Sequence, residues 1–169
     1  MALQPKSISH SEFENKCWRY YLLLENKFKL ALNFVEFTDN NFMTYSQEFS
    51  MLLLAICMEV ESVLKIRFYD TEKNNNNMYH YCKHLRSVFP NIQYISISNY
   101  LNEYCVLPYA LKEDKQVPEW WSSYNKLKHY RFEKYDIANL KNVYDALAGL
   151  FLLPFESISR PRKGSQPLS

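Results

Sequence analysis

Glycine is almost missing from this chain: of 169 residues only Gly149 and Gly164 are glycine. Tight strand turns and phosphate-cradling loops depend on a residue without Cβ. Neither glycine follows a strand-like segment within a glycine-rich motif, so Rossmann and P-loop nucleotide sites are excluded. Closely spaced cysteines are lacking too. Cys17, Cys57, Cys82 and Cys105 stand far apart, which fits neither a structural zinc site nor a disulfide framework and predicts buried free thiols. Charge of one sign is also scarce. Twenty Lys and Arg face eighteen Asp and Glu, a formal charge of +2, so any basic site must be local. The longest apolar runs, MLLLAICM and ALAGLFLLPF, fall short of a membrane span of about 20 residues. The opening MALQPKSISHSEF lacks the apolar core of an export signal. A soluble, cytoplasmic protein with no membrane partner is expected.

What the chain does have is 47% apolar and 22% charged residues, a balance that predicts a folded protein with one core. Fourteen Tyr and eleven Phe predict an aromatic interior whose hydroxyl groups need partners. A first helix is expected from Ser11, as cap, with Glu14 three residues on. Phe13, Cys17, Tyr20 or Tyr21, Leu24 and Phe28 form its buried stripe. After an interruption at Asp39 to Asn41, a second helix carries MTYSQEFSMLLLAICMEVESVLKIRFY, apolar nearly all round at its centre like the middle helix of a bundle. The asparagine run at 74–77 predicts an exposed loop, and a short helix follows over Met78 to Phe89.

Pro90 stops that helix. IQYISISNY and YCVLPYALK then predict a small hairpin, with Pro108 arguing against a central strand. Helix resumes after Pro118, and a last amphipathic helix covers Ile137 to Leu153, ended by Pro154. Leu140, Tyr144, Leu147 and Phe151 make its apolar stripe. Ala138, Asn142, Ala146 and Gly149 make a small-residue side open to close approach by a helix or subunit. The expected organisation is a flexible N-terminus at 1–10, one domain at 11–155 and a flexible basic tail at 156–169.

The densest polar group is Tyr124-Asn125-Lys126-Leu127-Lys128-His129-Tyr130-Arg131. Helical spacing puts Asn125 and His129 on one face and Tyr124, Lys128 and Arg131 on its neighbour. An imidazole to move a proton, an amide to orient substrate and cations to stabilise phosphate charge would suit a phosphodiester cleft. A purely structural account stands beside it. Trp120 and Trp121 would anchor the helix, and His129 would bond a buried carboxylate such as Glu59 or Glu61. Glu59, after an apolar stretch, is the better inward-facing carboxylate, able to orient His129 or neutralise Arg131. Glu61 and Lys65 form an exposed pair one turn apart. His80 and His84 share a helix face, but no third ligand completes a metal site. No metal or cofactor is assigned.

At these residues the chain resembles the HEPN superfamily, especially bacterial members linked to phage defence, abortive infection and toxin–antitoxin systems. Long helices, a Glu-rich end to the second helix and a Trp-Trp/Tyr-Asn/Lys-His-x-Arg signature carry the resemblance over about residues 11–155. It implies a mainly α bundle of about five helices with a small β-hairpin insertion. It also implies a homodimer that acts on or binds RNA as a metal-independent endoribonuclease. The family motif is Arg, a polar residue, several further residues and His. Asn125 and His129 match it, while Tyr124 stands where the arginine belongs. The implied roles are proton transfer for His129, orientation for Asn125 and phosphate contact for Lys128 and Arg131, with Tyr124 assisting. Glu59, Glu61, Lys65, Trp120 and Trp121 support the site. The alternative is a catalytically inactive HEPN-like dimeric interaction or regulatory module, using the small-residue side of the last helix and a cognate toxin or antitoxin as partner. A third reading is RNA binding without catalysis, helped by Arg160, Arg162 and Lys163.

Overall fold

Ser-x-x-Glu occurs twice in succession, at 9–12 and 11–14, and the first helix starts on the earlier pair. The computed structural model, which describes residues 9–68, 76–99, 103–112 and 116–158, places a reciprocal cap there. Ser9 Oγ accepts from the Glu12 N–H at 3.2 Å and Glu12 Oε2 accepts from the Ser9 N–H at 3.5 Å. Ser11 is therefore inside the helix, because the upstream box satisfies the free N–H groups first. Helix α1, His10–Phe13, passes through a π-helical turn at Glu14–Trp18 into α2, Arg19–Ala31. Cys17, Tyr21, Leu24 and Phe28 are buried as the spacing predicts, and Tyr20 is the exposed member of its pair. The Phe13 side chain lies outside the described residues.

Helix α3, Gln47–Phe68, is the middle of the bundle. It packs against α2 on one side and, beyond it, against three further helices: α4, Met78–Val88; α5, Glu119–His129; and α6, Leu140–Ile158. Leu53, Ile56, Cys57, Val60, Val63 and Leu64 of α3 are fully excluded from solvent. Each such aliphatic side chain contributes about 1.5–3 kcal/mol by leaving water. One side of α3 stays open and exposes Met51 and Met58. Asn77, last of the asparagine run, caps α4 by accepting from the His80 N–H at 3.1 Å. Positions 74 and 75 lie outside the described residues.

The expected hairpin is present as β1, Ile97–Ser98, antiparallel to β2, Cys105–Val106, with Ile97 opposite Val106. The ladder ends before Pro108, which cannot donate to it. Helix α6 begins under a double cap. Asn139 Oδ1 accepts from the Asn142 N–H at 3.0 Å, and the carbonyls of Thr44 and Phe42 accept from Leu140 and Lys141. Pro154 does not end α6. A proline removes one backbone donor from a helix, and here the backbone stays helical to Ile158. The helix thus enters the stretch assigned to the tail; 1–8 and 159–169 are outside the described residues.

The small-residue side of α6 is covered by the chain's own α5. A Cβ at Gly149 would lie 2.8 Å from Trp120 Cζ2, and Ala138 and Ala146 are fully buried. The small residues of that side are therefore not a surface for a second subunit, and only its Asn142 is half-exposed. The interior is aromatic, as composition predicts, and some of its hydroxyls are paired, while that of Tyr135 is buried without a hydrogen bond. Phe37 sits 4.8 Å from Tyr144 and Phe42 4.5 Å from Tyr104, ring to ring. The Tyr21 hydroxyl donates to Glu25 at 3.2 Å and that of Tyr109 to the Gly149 carbonyl at 3.1 Å. Among the described residues no helix is long and apolar enough to cross a membrane.

Candidate functional site

Trp120, Trp121, Tyr124 and Leu127 recur at the spacing of one helix face, and all four are buried. They turn α5 so that Asn125, Lys126, Lys128 and His129 stand in solvent. Trp120 is locked by its Nε1–H, which donates to the Pro108 carbonyl at 2.8 Å, and by an edge contact with Tyr109. Asn125 and His129 share an exposed face one turn apart, as the spacing predicts. Trp120 and Trp121 serve as anchors of that face.

Tyr124 is a core residue. Its ring centroid is 4.8 Å from that of Trp121, and Lys128 Nζ lies 5.7 Å above it. Burial pushes its hydroxyl above the usual phenol range, with Cys57 and the Glu61 charge adding to the effect. At 2% exposure it is closed to a phosphate, so the assisting role expected of it does not fit its position.

Arg131 is not on the helix. The last α5 bond runs from the Tyr130 N–H to the Lys126 carbonyl at 2.8 Å, after which Glu133 and Lys134 N–H groups close a turn on the Tyr130 carbonyl. Arg131 therefore does not share a face with Tyr124 and Lys128; it sits in the turn that follows His129. From 125 to 134 every residue except Leu127 is exposed. Tyr130 is 59% and Phe132 fully exposed. The run carries Lys126, Lys128, Arg131 and Lys134 against the single carboxylate Glu133. Cations here also suit the negative end of the α5 dipole.

Neither carboxylate expected beneath His129 is bonded to it. Glu59 is half-buried, its carboxyl pushed up by desolvation, and its charge acts on Cys17 at the π turn. His129 is exposed, with its ring 6.4 Å from that of Tyr130, so the buried-histidine account is overturned. Glu61 pairs with Lys65 at 2.9 Å, the one-turn ion pair expected, and on this surface it is worth a few tenths of a kcal/mol. His84 stacks on Phe68, whereas His80 meets Tyr79 edge-on. Among the described residues no three His, Cys, Asp or Glu side chains gather as a metal site.

One buried polar cluster was missed by the sequence reading. Asp145 is 5% exposed, accepts from the Tyr104 hydroxyl at 3.0 Å and pairs with Lys141. Desolvation pushes its carboxyl up, and Lys141 pulls against that shift. The signal was an acid inside the apolar run YDALAGLF with a lysine one turn before it. Asp145 borders a cavity of about 200 Å³ whose wall also holds the Lys112–Glu119 pair at 2.6 Å. A larger cavity of about 410 Å³ opens between α2, β1 and α6, floored by Tyr21, Phe28 and Tyr144 with Glu25 and Lys29 at its edge. None of Tyr124, Asn125, Lys128, His129 and Arg131 lines either cavity. Asn125, Lys128, His129 and Arg131 stand on an open surface rather than in an enclosed pocket. No protein-family model, curated protein or solved structure matches this chain.

Proposed function

We propose that this protein engages RNA at the C-terminal end of α5 and the turn beyond it, as a metal-independent endoribonuclease of the HEPN kind with a role in phage defence or a toxin–antitoxin system. The observation that carries the reading is the exposed run 125–134, which gathers Asn125, His129 and four cations on one open stretch of a chain whose overall charge is only +2. RNA supplies its own nucleophile, the ribose 2′-hydroxyl, so cleavage needs proton transfer and charge stabilisation more than a metal. His129 takes the 2′-hydroxyl proton as that oxygen bonds to phosphorus, the bond from phosphorus to the 5′-oxygen breaks, the departing oxygen takes a proton from water, and a cyclic phosphate is left. Asn125, one turn back on the same face, orients the phosphate. Lys128 and Arg131 hold its charge from the helix end and the turn, and a second copy of the chain would present the set twice.

The second reading is an interaction module without turnover, and Tyr124 favours it. A buried tyrosine at the arginine position supplies neither a permanent charge nor a forked donor to phosphate. The two readings separate in one experiment: incubation of the purified chain and its His129→Ala variant with mixed tRNA and other structured RNAs in EDTA. His129 is exposed, so the variant keeps its helicity, which circular dichroism checks. Cleavage by the native chain alone supports the nuclease. Absence of His129-dependent cleavage transfers the surface to a binding role.

A further inference from the structure

Phe132 is fully exposed and Tyr130 59% exposed, in a turn whose charged neighbours are Lys128, Arg131 and Lys134 with the single carboxylate Glu133. A wholly solvated phenylalanine gains nothing for the fold, since it touches no core. Its setting is selective. A turn that served as an apolar contact for another protein would surround its aromatic rings with uncharged residues, because interface centres are depleted in charge. This turn interleaves cationic and aromatic side chains along the chain: Lys128, Tyr130, Arg131, Phe132 and Lys134. Cations that follow a phosphate backbone, interleaved with rings on which bases stack, are the chemistry of single-stranded nucleic-acid binding.

We infer that Phe132, with Tyr130, is a stacking platform for unpaired RNA bases held beside the α5 site. The inference rests on the RNA reading above and deepens it. In a duplex the base faces are covered by their neighbours, and only backbone and groove edges reach a protein. A free phenyl ring therefore adds affinity only where a base is unstacked. The ring at position 132 lies three residues beyond His129, so a base held there draws the adjoining sugar-phosphate toward the helix end where Asn125 and His129 stand.

The test is fluorescence anisotropy with a labelled oligoadenylate of about ten nucleotides, the same backbone with abasic positions, and a blunt RNA duplex. The native chain is expected to bind the oligoadenylate more tightly than either control. Phe132→Ala is expected to weaken oligoadenylate binding about 5- to 150-fold, with the salt dependence of affinity unchanged because the cations remain. Phe132→Trp is expected to restore it. Phe132 touches no core, so these variants keep the native fold, checked by circular dichroism. Equal binding of the oligoadenylate by native chain and Phe132→Ala overturns the stacking platform and leaves the RNA reading standing. No binding of any RNA by the native chain overturns both. A change of oligomeric state in Phe132→Ala, measured by sedimentation, with RNA affinity intact, makes the turn a protein contact and likewise overturns the platform.

Discussion

The Tyr104 hydroxyl reaches Asp145 Oδ1 at 3.0 Å, tying the chain leading into β2 to the middle of α6. Because burial holds the Asp145 carboxyl above its ordinary range, the folded chain keeps that proton to a higher pH than the unfolded chain does. The stability this group contributes is full below the unfolded aspartate value of about 3.9 and is lost as pH rises through the folded value. Asp145→Asn carries no such loss. Urea denaturation of both proteins from pH 4 to 7 is expected to show the Asn variant gaining stability relative to the native chain as pH rises. A difference that stays flat, or that moves in the native chain's favour, would contradict a raised carboxyl.

Trp120 and Gly149 are matched by shape. The indole cannot retreat readily, since its Nε1–H is held by the Pro108 carbonyl, and an added Cβ would come within 2.8 Å of it. Overpacking of this kind costs about 1–3 kcal/mol. Replacing helical glycine with alanine returns at most about 1 kcal/mol. Gly149→Ala is therefore expected to lower the urea midpoint; a raised midpoint would mean that α5 slides to make room.

The four thiols divide by environment. Desolvation pushes Cys17 up to about 11 and Cys82 up to about 12, with Cys57 also well above its ordinary value. Cys105 is exposed on β2. The thiolate is the reacting form, so an aromatic disulfide reagent at pH 8 is expected to titrate one thiol in the folded chain and all four in urea. Cys105→Ser should remove the fast thiol. More than one fast thiol in the folded native chain would show that the core opens at one of the other three.

Much of this architecture was legible because apolar spacing records which face of a helix is buried. Cys17, Tyr21, Leu24 and Phe28 on α2, and Trp120, Trp121, Tyr124 and Leu127 on α5, are examples. The site was legible only in part. Asn125 and His129 fall on one face by spacing alone, yet Arg131 was assigned to a helix that has already ended. The signal was present. After Leu127 the next positions on the buried stripe are Arg131 and Lys134, two cations, and a helix with no further residue to bury has little tertiary support. Asp145 was hidden for another reason: its partner Tyr104 comes from the hairpin, 41 positions away, and local spacing cannot report so distant a contact. Pro154 misled because a single missing donor was weighed as a stop.

Tyr124 invites the experiment of placing in the chain the arginine that the proposed HEPN reading would have there. Helical spacing alone treats position 124 as a neighbour of Lys128 on an accessible face, whereas the ring is buried against Trp121 with the Lys128 ammonium above it. A guanidinium forced into that place either loses its hydration or swings out and leaves a cavity beside Leu127. A buried unpaired charge costs several kcal/mol, and the loss of a large aromatic from a core costs about 3–5 kcal/mol. Tyr124→Arg is therefore expected to lower the melting temperature sharply without creating new RNA cleavage. Tyr124→Phe keeps the packing and is expected to match the native chain in stability to within about 1 kcal/mol and in RNA binding. A stable Tyr124→Arg protein with increased, His129-dependent cleavage would contradict the core assignment, and would show that α5 can rotate position 124 toward the exposed face that holds Asn125 and His129.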